Sequence, residues 1–409
     1  MAKLRQEVEP GEAGLDGKTL DRLDQYLTRL VDEGRLPGFL VSVARGGRIA
    51  HFTTHGRRDV AAGLPVESDT VWRIYSMTKP VTAVAALLLV QEGRLSLDDP
   101  LERHLPVFAA PRVYVSGSGD EVTTRPAAGP ILIRHLLTHT AGLTFGFYHA
   151  HPVDALYRAA GLESSVPRGA DLAETMDVYA SLPLQFDPGT QWNYSVASNV
   201  LGRVVEVVSG QPLDVFFAER ILGPLGMTDT GFRVADEQAG RLAELYGETG
   251  EGGIEPIPGL PLRGRPRLLS GSGGLVATAH DLHRFMELLR RRGELDGTRL
   301  LAPETVDLMT RNHLPGNADL RSYGSRPAHD EPGNEGVGFG LGVSVVTDPT
   351  RTQAPAGTGT YGWSGVATTT FWIDPGRDLT CQFLTQVRPK RSLKIYPELK
   401  RLLHEAVVG

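Results

Sequence analysis

Strand-type segments lie near both ends of the sequence, and a long, mainly helical stretch separates them. Runs rich in β-branched and aromatic residues cover residues 38–44, 48–54, 339–346, 366–374 and 379–386. Gly46 and Gly47 join the first two runs, and this pair suits a tight hairpin turn. Because a sheet needs partners on its edges and cover on its faces, we expect these distant segments to form one sheet.

Helical periodicity predicts the elements around this sheet. Apolar residues recur every three or four positions in residues 15–34, 81–92, 131–137, 176–182, 198–208, 213–221, 279–292, 303–309 and 393–407. Stretches rich in Gly and Pro predict loops over residues 109–130, 247–266 and 315–336. The fold class expected is α/β (α+β), with an antiparallel sheet built from both termini and flanked by helices, plus a helical subdomain inserted from the middle of the chain.

This arrangement predicts one domain over residues 1–409 with two closely packed subdomains. The α/β subdomain is expected at about residues 15–79 and 336–409, and the helical subdomain at about residues 80–335. A chain of 409 residues is long for a single core, which favours this division. The cleft where the two subdomains meet is the expected place for a functional site.

Composition and charge exclude several classes of partner. With 41% hydrophobic and 22% charged residues, the chain is expected to fold throughout. A net charge of -6 with scattered basic residues argues against nucleic acid as a partner. No stretch reaches the ~20 apolar residues of a membrane helix, so no membrane partner is expected. The sequence leaves the oligomeric state open.

The N-terminus and the cysteine content predict a cytoplasmic protein. Residues 1–14 are polar and acidic, unlike the basic start and apolar core of a secretory signal. Cys381 is the only cysteine, so no disulfide can form within the chain, and its apolar surroundings indicate a buried structural residue.

The first candidate for chemistry is the pair Ser76 and Lys79, which precedes Pro80 and a strongly apolar helix. Side chains three residues apart on a helix lie on the same side, so the amine can reach the hydroxyl. A lysine can deprotonate a serine only if burial or neighbouring charges lower its pKa. An N-capping serine beside a solvated lysine would give the same pattern.

Two further motifs carry candidate residues. Tyr194 follows a turn and precedes a helical run, and its hydroxyl could relay a proton if cations lower its pKa. A core tyrosine is the simpler alternative. Trp363, Ser364 and Gly365 lead into the predicted strand 366–374, where a glycine-rich entry lets backbone N–H groups approach a ligand. A plain turn is the alternative for this motif.

Together these motifs resemble the serine beta-lactamase and penicillin-binding-protein superfamily, class C branch, which carries a serine-x-x-lysine signature. The stretches at residues 136–143 and 271–278 also look like recurring segments of that branch. The resemblance is closest to the family VIII carboxylesterases. It implies that Ser76 is the nucleophile, Lys79 the base and Tyr194 the proton relay, with the oxyanion hole at the backbone N–H groups of Ser76 and Val366. Trp363, Ser364 and Gly365 would bind substrate.

Two departures from class C beta-lactamases bear on the substrate. Val196 stands where those enzymes have an asparagine, and Trp363 stands where they have a lysine that helps hold the carboxylate of the drug. A bulky, uncharged aromatic residue favours a neutral, short-chain ester over an anionic lactam or peptide. Some family VIII members also hydrolyse beta-lactams.

Other mechanisms find less support in the sequence. It has no Gly-x-Ser-x-Gly elbow, and His135 and His139 are interpreted as structural residues, His139 bonding backbone in its own loop. No HExxH or Cys/His cluster indicates a metal, and no cofactor is expected. A beta-lactamase, a DD-peptidase, an amide hydrolase, an acyltransferase and a silent binding module remain as alternatives to the esterase.

Overall fold

The structure is a computed structural model, and it describes residues 3–162, 169–250, 252–259, 262–325, 332–388 and 395–408. Within these residues the helices are α1 Gly17–Asp32, α2 Thr78–Gln91, α3 Ile133–Leu137, α4 Pro152–Ala159, α5 Leu172–Ser181, α6 Ala197–Ser209, α7 Leu213–Phe217, α8 Ala279–Arg290, α9 Pro303–Thr310 and α10 Ile395–Ala406. Parts of the predicted loops 247–266 and 315–336 lie outside the described residues, as does the start of the predicted helix 393–407.

The strands are short except in the main sheet. They are β1 Gly38–Arg45, β2 Arg48–Asp59, β3 Leu64–Pro65, β4 Val71–Arg73, β5 Arg112–Ser116, β6 Thr123–Pro126, β7 Tyr246–Glu248, β8 Ile254–Pro256, β9 Val276–Thr278, β10 Glu294–Leu295, β11 Thr298–Arg299, β12 Val337–Phe339, β13 Ser344–Val346, β14 Tyr361–Gly365, β15 Thr369–Asp374, β16 Leu379–Leu384 and β17 Val387–Arg388.

The main sheet joins the two ends of the chain. Its eight antiparallel strands run in the order β12-β13-β14-β15-β16-β1-β2-β3. The join is the pairing of β1 with β16, in which Val43 lies opposite Cys381. An antiparallel sheet built from both termini was predicted, and the structure confirms it. The finer division into two subdomains stays a prediction.

Helices cover both faces of this sheet. Successive side chains of a strand point to opposite faces, so Val41 and Val43 pack against α1 and α10, in a cluster that includes Leu23 and Leu399. The opposite face, which carries Leu40, contributes to a larger cluster that contains most of α2. Because both faces are covered, β15 and β16 are buried along their whole length.

The structure corrects two strand predictions near the site. The predicted strand 339–346 is interrupted between β12 and β13, because Gly342 has a φ of +86°, which is outside the range of an extended strand. Only a glycine fits at this position, since a Cβ there would lie 2.5 Å from that of Ala83 in α2. The motif around Trp363 was expected to be a glycine-rich entry into the strand 366–374, with a plain turn as the alternative, but it forms the separate strand β14. Val366 therefore begins the turn between β14 and β15 rather than a strand.

A third correction concerns the predicted loop 109–130. It contains the hairpin β5–β6, in which Arg112 pairs with Pro126 and the register shifts between Tyr114 and Ser116. Its glycines and prolines indicated a loop, but Val113, Tyr114 and Val115 supply enough β-forming residues for a short strand. No helix within the described ranges is long and apolar enough to cross a membrane.

Candidate active site

Ser76 lies in a sharp connection between β4 and α2. The one-turn 3₁₀-helix Tyr75–Met77 links the two, and Ser76 is its half-buried middle residue. Tyr75 has a φ of +45°, in the left-handed region that residues with a Cβ seldom adopt. Such a conformation costs about 1–3 kcal/mol and is found most often at functional sites. The tight turn presents Ser76 at the start of a helix whose own residues are buried.

Lys79 is buried on the first turn of α2, and its amine contacts Ser76. Its Nζ lies 3.1 Å from Oγ of Ser76 and 2.8 Å from the carbonyl oxygen of Ser272. Lys79 is only 2% exposed, and no carboxylate in the described part of the chain forms an ion pair with its amine. Burial holds the pKa of Lys79 well below its usual value. A neutral amine at this position can accept a proton from Ser76.

Tyr194 lies on the other side of Ser76. Its hydroxyl hydrogen-bonds Ser76 and accepts a hydrogen bond from Nε1 of Trp363 at 3.4 Å. The Nζ atom of Lys79 lies 4.6 Å from the centre of the Tyr194 ring. Burial raises the pKa of Tyr194 to about 12, whereas a tyrosine activated by cations would have a lowered pKa. The hydroxyl is therefore protonated at neutral pH and acts as a donor.

Strand β14 brings the third motif against these residues. The Trp363 ring lies 5.4 Å from that of Tyr194 and 5.3 Å from that of Phe339. Ser364 points to the other face of the sheet, where it hydrogen-bonds the hydroxyl of Tyr396. The structure thus brings the side chain of Trp363 to Tyr194, whereas that of Ser364 lies on the other face of the sheet.

Gly365 explains how the strand can approach so closely. A Cβ on Gly365 would lie 2.5 Å from the carbonyl oxygen of Ile74, two residues before Ser76. The missing side chain therefore lets the backbone of β14 rest against the nucleophile turn. Val366 follows directly and is 37% exposed. Its backbone N–H and that of Ser76 remain the predicted oxyanion hole.

Ser272 and Asn199 contribute to the site without having been predicted. The carbonyl of Ser272 accepts from Lys79, while Oδ1 of Asn199 accepts from the Ser272 N–H at 3.0 Å and from the Ser270 hydroxyl at 2.9 Å. Asn199 also donates to the hydroxyl of Tyr179 at 3.1 Å. Asn199 therefore fixes the loop whose Ser272 carbonyl accepts a hydrogen bond from the Lys79 amine. Only the sequence resemblance at residues 271–278 pointed to this loop.

His139 supports the segment that carries Tyr194. Its Nδ1 accepts from the backbone N–H of Ser195 at 3.2 Å, and its ring lies 4.9 Å from that of Tyr194. The sequence predicted that His139 would bond backbone within its own loop. Its ring instead bonds the segment that contains Ser195. Burial, with a smaller effect from the charge of Lys79, keeps the pKa of His139 well below its usual value. A neutral imidazole with Nδ1 already engaged fits a structural role.

Across the described ranges, no three His, Cys, Asp or Glu side chains are close enough together to hold a metal ion.

The sequence and the fold both have known relatives. Protein Rv1367c of Mycobacterium tuberculosis is 37% identical over 91% of this chain and 92% of its own length. Esterase EstB of Burkholderia gladioli is 34% identical over 92% of this chain and 93% of its own length. Among solved structures, EstCE1, described as a hydrolase with promiscuous acyltransferase activity, is 28% identical, covers 96% of this chain and 99% of its own, and superposes with a TM-score of 0.78.

The family model described as Beta-lactamase matches residues 23–404, which includes Ser76, Lys79, Tyr194 and Trp363. With this match and the relatives above, the chain belongs to the Beta-lactamase family.

Proposed function

We propose that this protein is a carboxylesterase of the family VIII type that cleaves short-chain esters through an acyl-enzyme on Ser76. The observation that carries the proposal is the 3.1 Å approach of a buried lysine amine to the serine hydroxyl, where no carboxylate of the described residues forms an ion pair with the amine. A hydroxyl becomes nucleophilic when an adjacent base removes its proton, and a lysine of lowered pKa is such a base.

The hydrogen bonds of the site have a consistent direction when Lys79 is neutral. Trp363 donates to the oxygen of Tyr194, and the Tyr194 hydroxyl donates to Ser76. The Ser76 hydroxyl then donates to the Lys79 amine, which donates to the carbonyl of Ser272. This order leaves the lone pair of the amine directed at the proton that must be removed.

Acylation follows from this order. Lys79 takes the proton of Ser76 while Oγ forms a bond to the ester carbonyl carbon. The negative charge on the carbonyl oxygen is stabilised by the N–H groups of Ser76 and Val366. When the bond to the alcohol breaks, the alkoxide takes up the proton through the hydroxyl of Tyr194. Water then repeats the same steps on the acyl-enzyme and releases the acid.

The residues around the nucleophile favour an ester over a lactam. Trp363 offers an apolar ring where a carboxylate-binding lysine would stand in class C beta-lactamases. The esterase EstB, alike over nearly the full length of both chains, supports the same substrate class.

Acyl transfer is the second candidate, because EstCE1 is described as a hydrolase with promiscuous acyltransferase activity. An alcohol that enters the site in place of water would accept the same acyl group from Ser76. The catalytic groups are the same, so the two functions differ only in the acceptor.

A panel of p-nitrophenyl esters of increasing acyl length, assayed beside a chromogenic cephalosporin, tests the proposal. We expect the highest kcat/KM for the short-chain esters and a much lower value for the cephalosporin. A cephalosporin cleaved faster than every ester would contradict the esterase and favour a beta-lactamase. Added alcohol that diverts the acyl group into a new ester would reveal transferase activity.

A further inference from the structure

Three aromatic side chains form a continuous surface beside the catalytic groups. Phe145, Phe147 and Tyr148, here called the aromatic ledge, lie within one short segment that contains the 3₁₀-helix Gly146–Tyr148. The rings of Phe145 and Phe147 are stacked with centres 4.8 Å apart and planes inclined by 21°. The ring of Tyr148 lies 4.8 Å from that of Phe147. The ledge presents rings side by side without a charged residue between them.

The ledge extends from the buried amine to solvent. Phe145 is 4% exposed, its ring lies 5.4 Å from that of Tyr194, and the Lys79 Nζ lies 5.7 Å from its centre. Phe147, stacked on it, is 48% exposed, which is unusual for a phenylalanine in a folded domain. Phe147 thus continues the apolar surface of Phe145 from the buried site to solvent, where a substrate group can contact it.

Hydrogen bonds hold the ledge in place before any substrate binds. The buried carboxylate of Asp154 accepts from Thr144 at 2.8 Å, before the ledge, and from the N–H groups of Ala150 at 3.0 Å and His151 at 2.9 Å, after it. Arg158 donates to the carbonyl of Gly146 inside the ledge. The two ends are thus fixed to one side chain, and a surface ordered in advance binds with a smaller entropy cost.

The position of the proton donor indicates which part of an ester lies on the ledge. The leaving oxygen must lie near the hydroxyl of Tyr194 to take up a proton, while the carbonyl oxygen faces the N–H groups of Ser76 and Val366. The Tyr194 ring lies 5.4 Å from that of Phe145, so the ledge is within reach of the group attached to the leaving oxygen. The ring of Trp363, on the other strand of the site, lies at the same distance from Tyr194.

We propose that the aromatic ledge binds the alcohol group of the ester and that Phe147 makes the site selective for aromatic and bulky apolar alcohols. The proposal rests on the esterase function above and names the alcohol side of its substrate. Phe147 is a binding residue here and takes no part in proton transfer.

Kinetics can separate the two ends of the ester. All esters of one acid give the same acyl-enzyme, so the alcohol affects only the steps up to its release. The proposal therefore concerns kcat/KM, which reports those steps, and not the hydrolysis of the acyl-enzyme.

The test compares wild type with Phe147→Ala on ethyl acetate and benzyl acetate. We expect the ratio of kcat/KM for the benzyl ester to that for the ethyl ester to fall about two- to tenfold, the size of one aromatic contact. Phe147→Leu should give an intermediate ratio, since it keeps an apolar side chain of reduced area. Val207→Ala is the control: Val207 is also exposed, but it lies near the far end of α6 from Tyr194, so the ratio should not change.

A second series fixes the alcohol and varies the acid. On p-nitrophenyl acetate and butyrate, Phe147→Ala should leave the ratio of the two kcat/KM values unchanged, because both esters share one alcohol. A loss that grows with acyl length would overturn the proposal and assign the ledge to the acyl group. An unchanged benzyl-to-ethyl ratio in a variant that still cleaves esters would overturn the ledge proposal alone. A wild-type protein that cleaves no ester would overturn both this proposal and the esterase.

Discussion

The Nζ atom of Lys79 lies 3.1 Å from Oγ of Ser76. Ser76 lies in the 3₁₀-helix Tyr75–Met77, and Lys79 lies in the first turn of α2, which follows directly. The amine has one backbone carbonyl and two aromatic rings as further neighbours. In these surroundings burial penalises the charged form of the lysine and holds the pKa of Lys79 well below its usual value. The predictions below follow from this relationship.

The rate should depend on pH through Lys79. Because burial lowers the pKa of this amine, it loses its proton at a lower pH than an ordinary lysine, and only the neutral form accepts a proton from Ser76. We expect kcat/KM for p-nitrophenyl acetate to rise with pH and level off well below pH 10.5. Lys79→Ala should lack this rising limb. A wild-type rate that still rises at pH 10.5 would show that Lys79 keeps an ordinary pKa.

Removing either partner of Ser76 should depress acylation while the fold persists. Lys79→Ala and Tyr194→Phe should each lower kcat/KM by about 10²- to 10⁴-fold, the usual contribution of one acid–base group. The double variant should lose little more than the worse single variant, because both groups act on one proton. Stopped-flow or steady-state hydrolysis measures the rates, and melting temperatures control for folding. A near-normal kcat in either variant would mean that the replaced residue takes no part in proton transfer and only packs beside Ser76.

The convergence of Ser76, Lys79 and Tyr194 could be predicted because each lies in a motif whose residue types and order are informative by themselves. The position of Val366 in a turn could not be predicted. The run that follows it is rich in β-branched residues and predicts a strand, and only the pairing of β14 with β15 shows where that strand begins. Asn199 and Ser272 were missed because their hydrogen bond joins residues far apart in sequence, and isolated Asn and Ser residues carry no signal. Ser364 was assigned to the substrate, but strand alternation directs it to Tyr396.

Trp363 should control the balance between neutral and anionic substrates. Trp363→Lys replaces an apolar ring with a cation, so the ratio of ester to cephalosporin hydrolysis should fall as the carboxylate of the cephalosporin gains a partner. Trp363→Phe is the matched control, because it keeps a ring but removes the N–H that bonds Tyr194. The two substrates are assayed side by side by their chromophores. An unchanged ratio in Trp363→Lys would mean that this residue does not contact the carboxylate of the cephalosporin.

Asn199 should act on the reaction through the Ser272 carbonyl. Asn199→Leu keeps a similar volume but removes three hydrogen bonds inside the protein, and a loss of about 1–3 kcal/mol in the free energy of unfolding is expected for the groups left unsatisfied. The pH at which kcat/KM levels off should also shift, because the carbonyl that holds the Lys79 amine is no longer fixed.

Ser270→Ala provides the comparison for that experiment, since it removes only one of the three bonds. It should lower stability less and leave the pH profile in place. If Asn199→Leu lowered stability but kept the wild-type pH profile, Asn199 would serve the fold and have no positioning role for Lys79.

The central claim is that Ser76 is the nucleophile, and labelling with a serine-directed fluorophosphonate tests it most directly. Peptide mass spectrometry of the labelled protein should find one adduct per chain, on Ser76, and Lys79→Ala should form it much more slowly. The account would be contradicted by stoichiometric label on another serine, such as Ser195 or Ser364, or by a protein that hydrolyses esters with Ser76 left unlabelled.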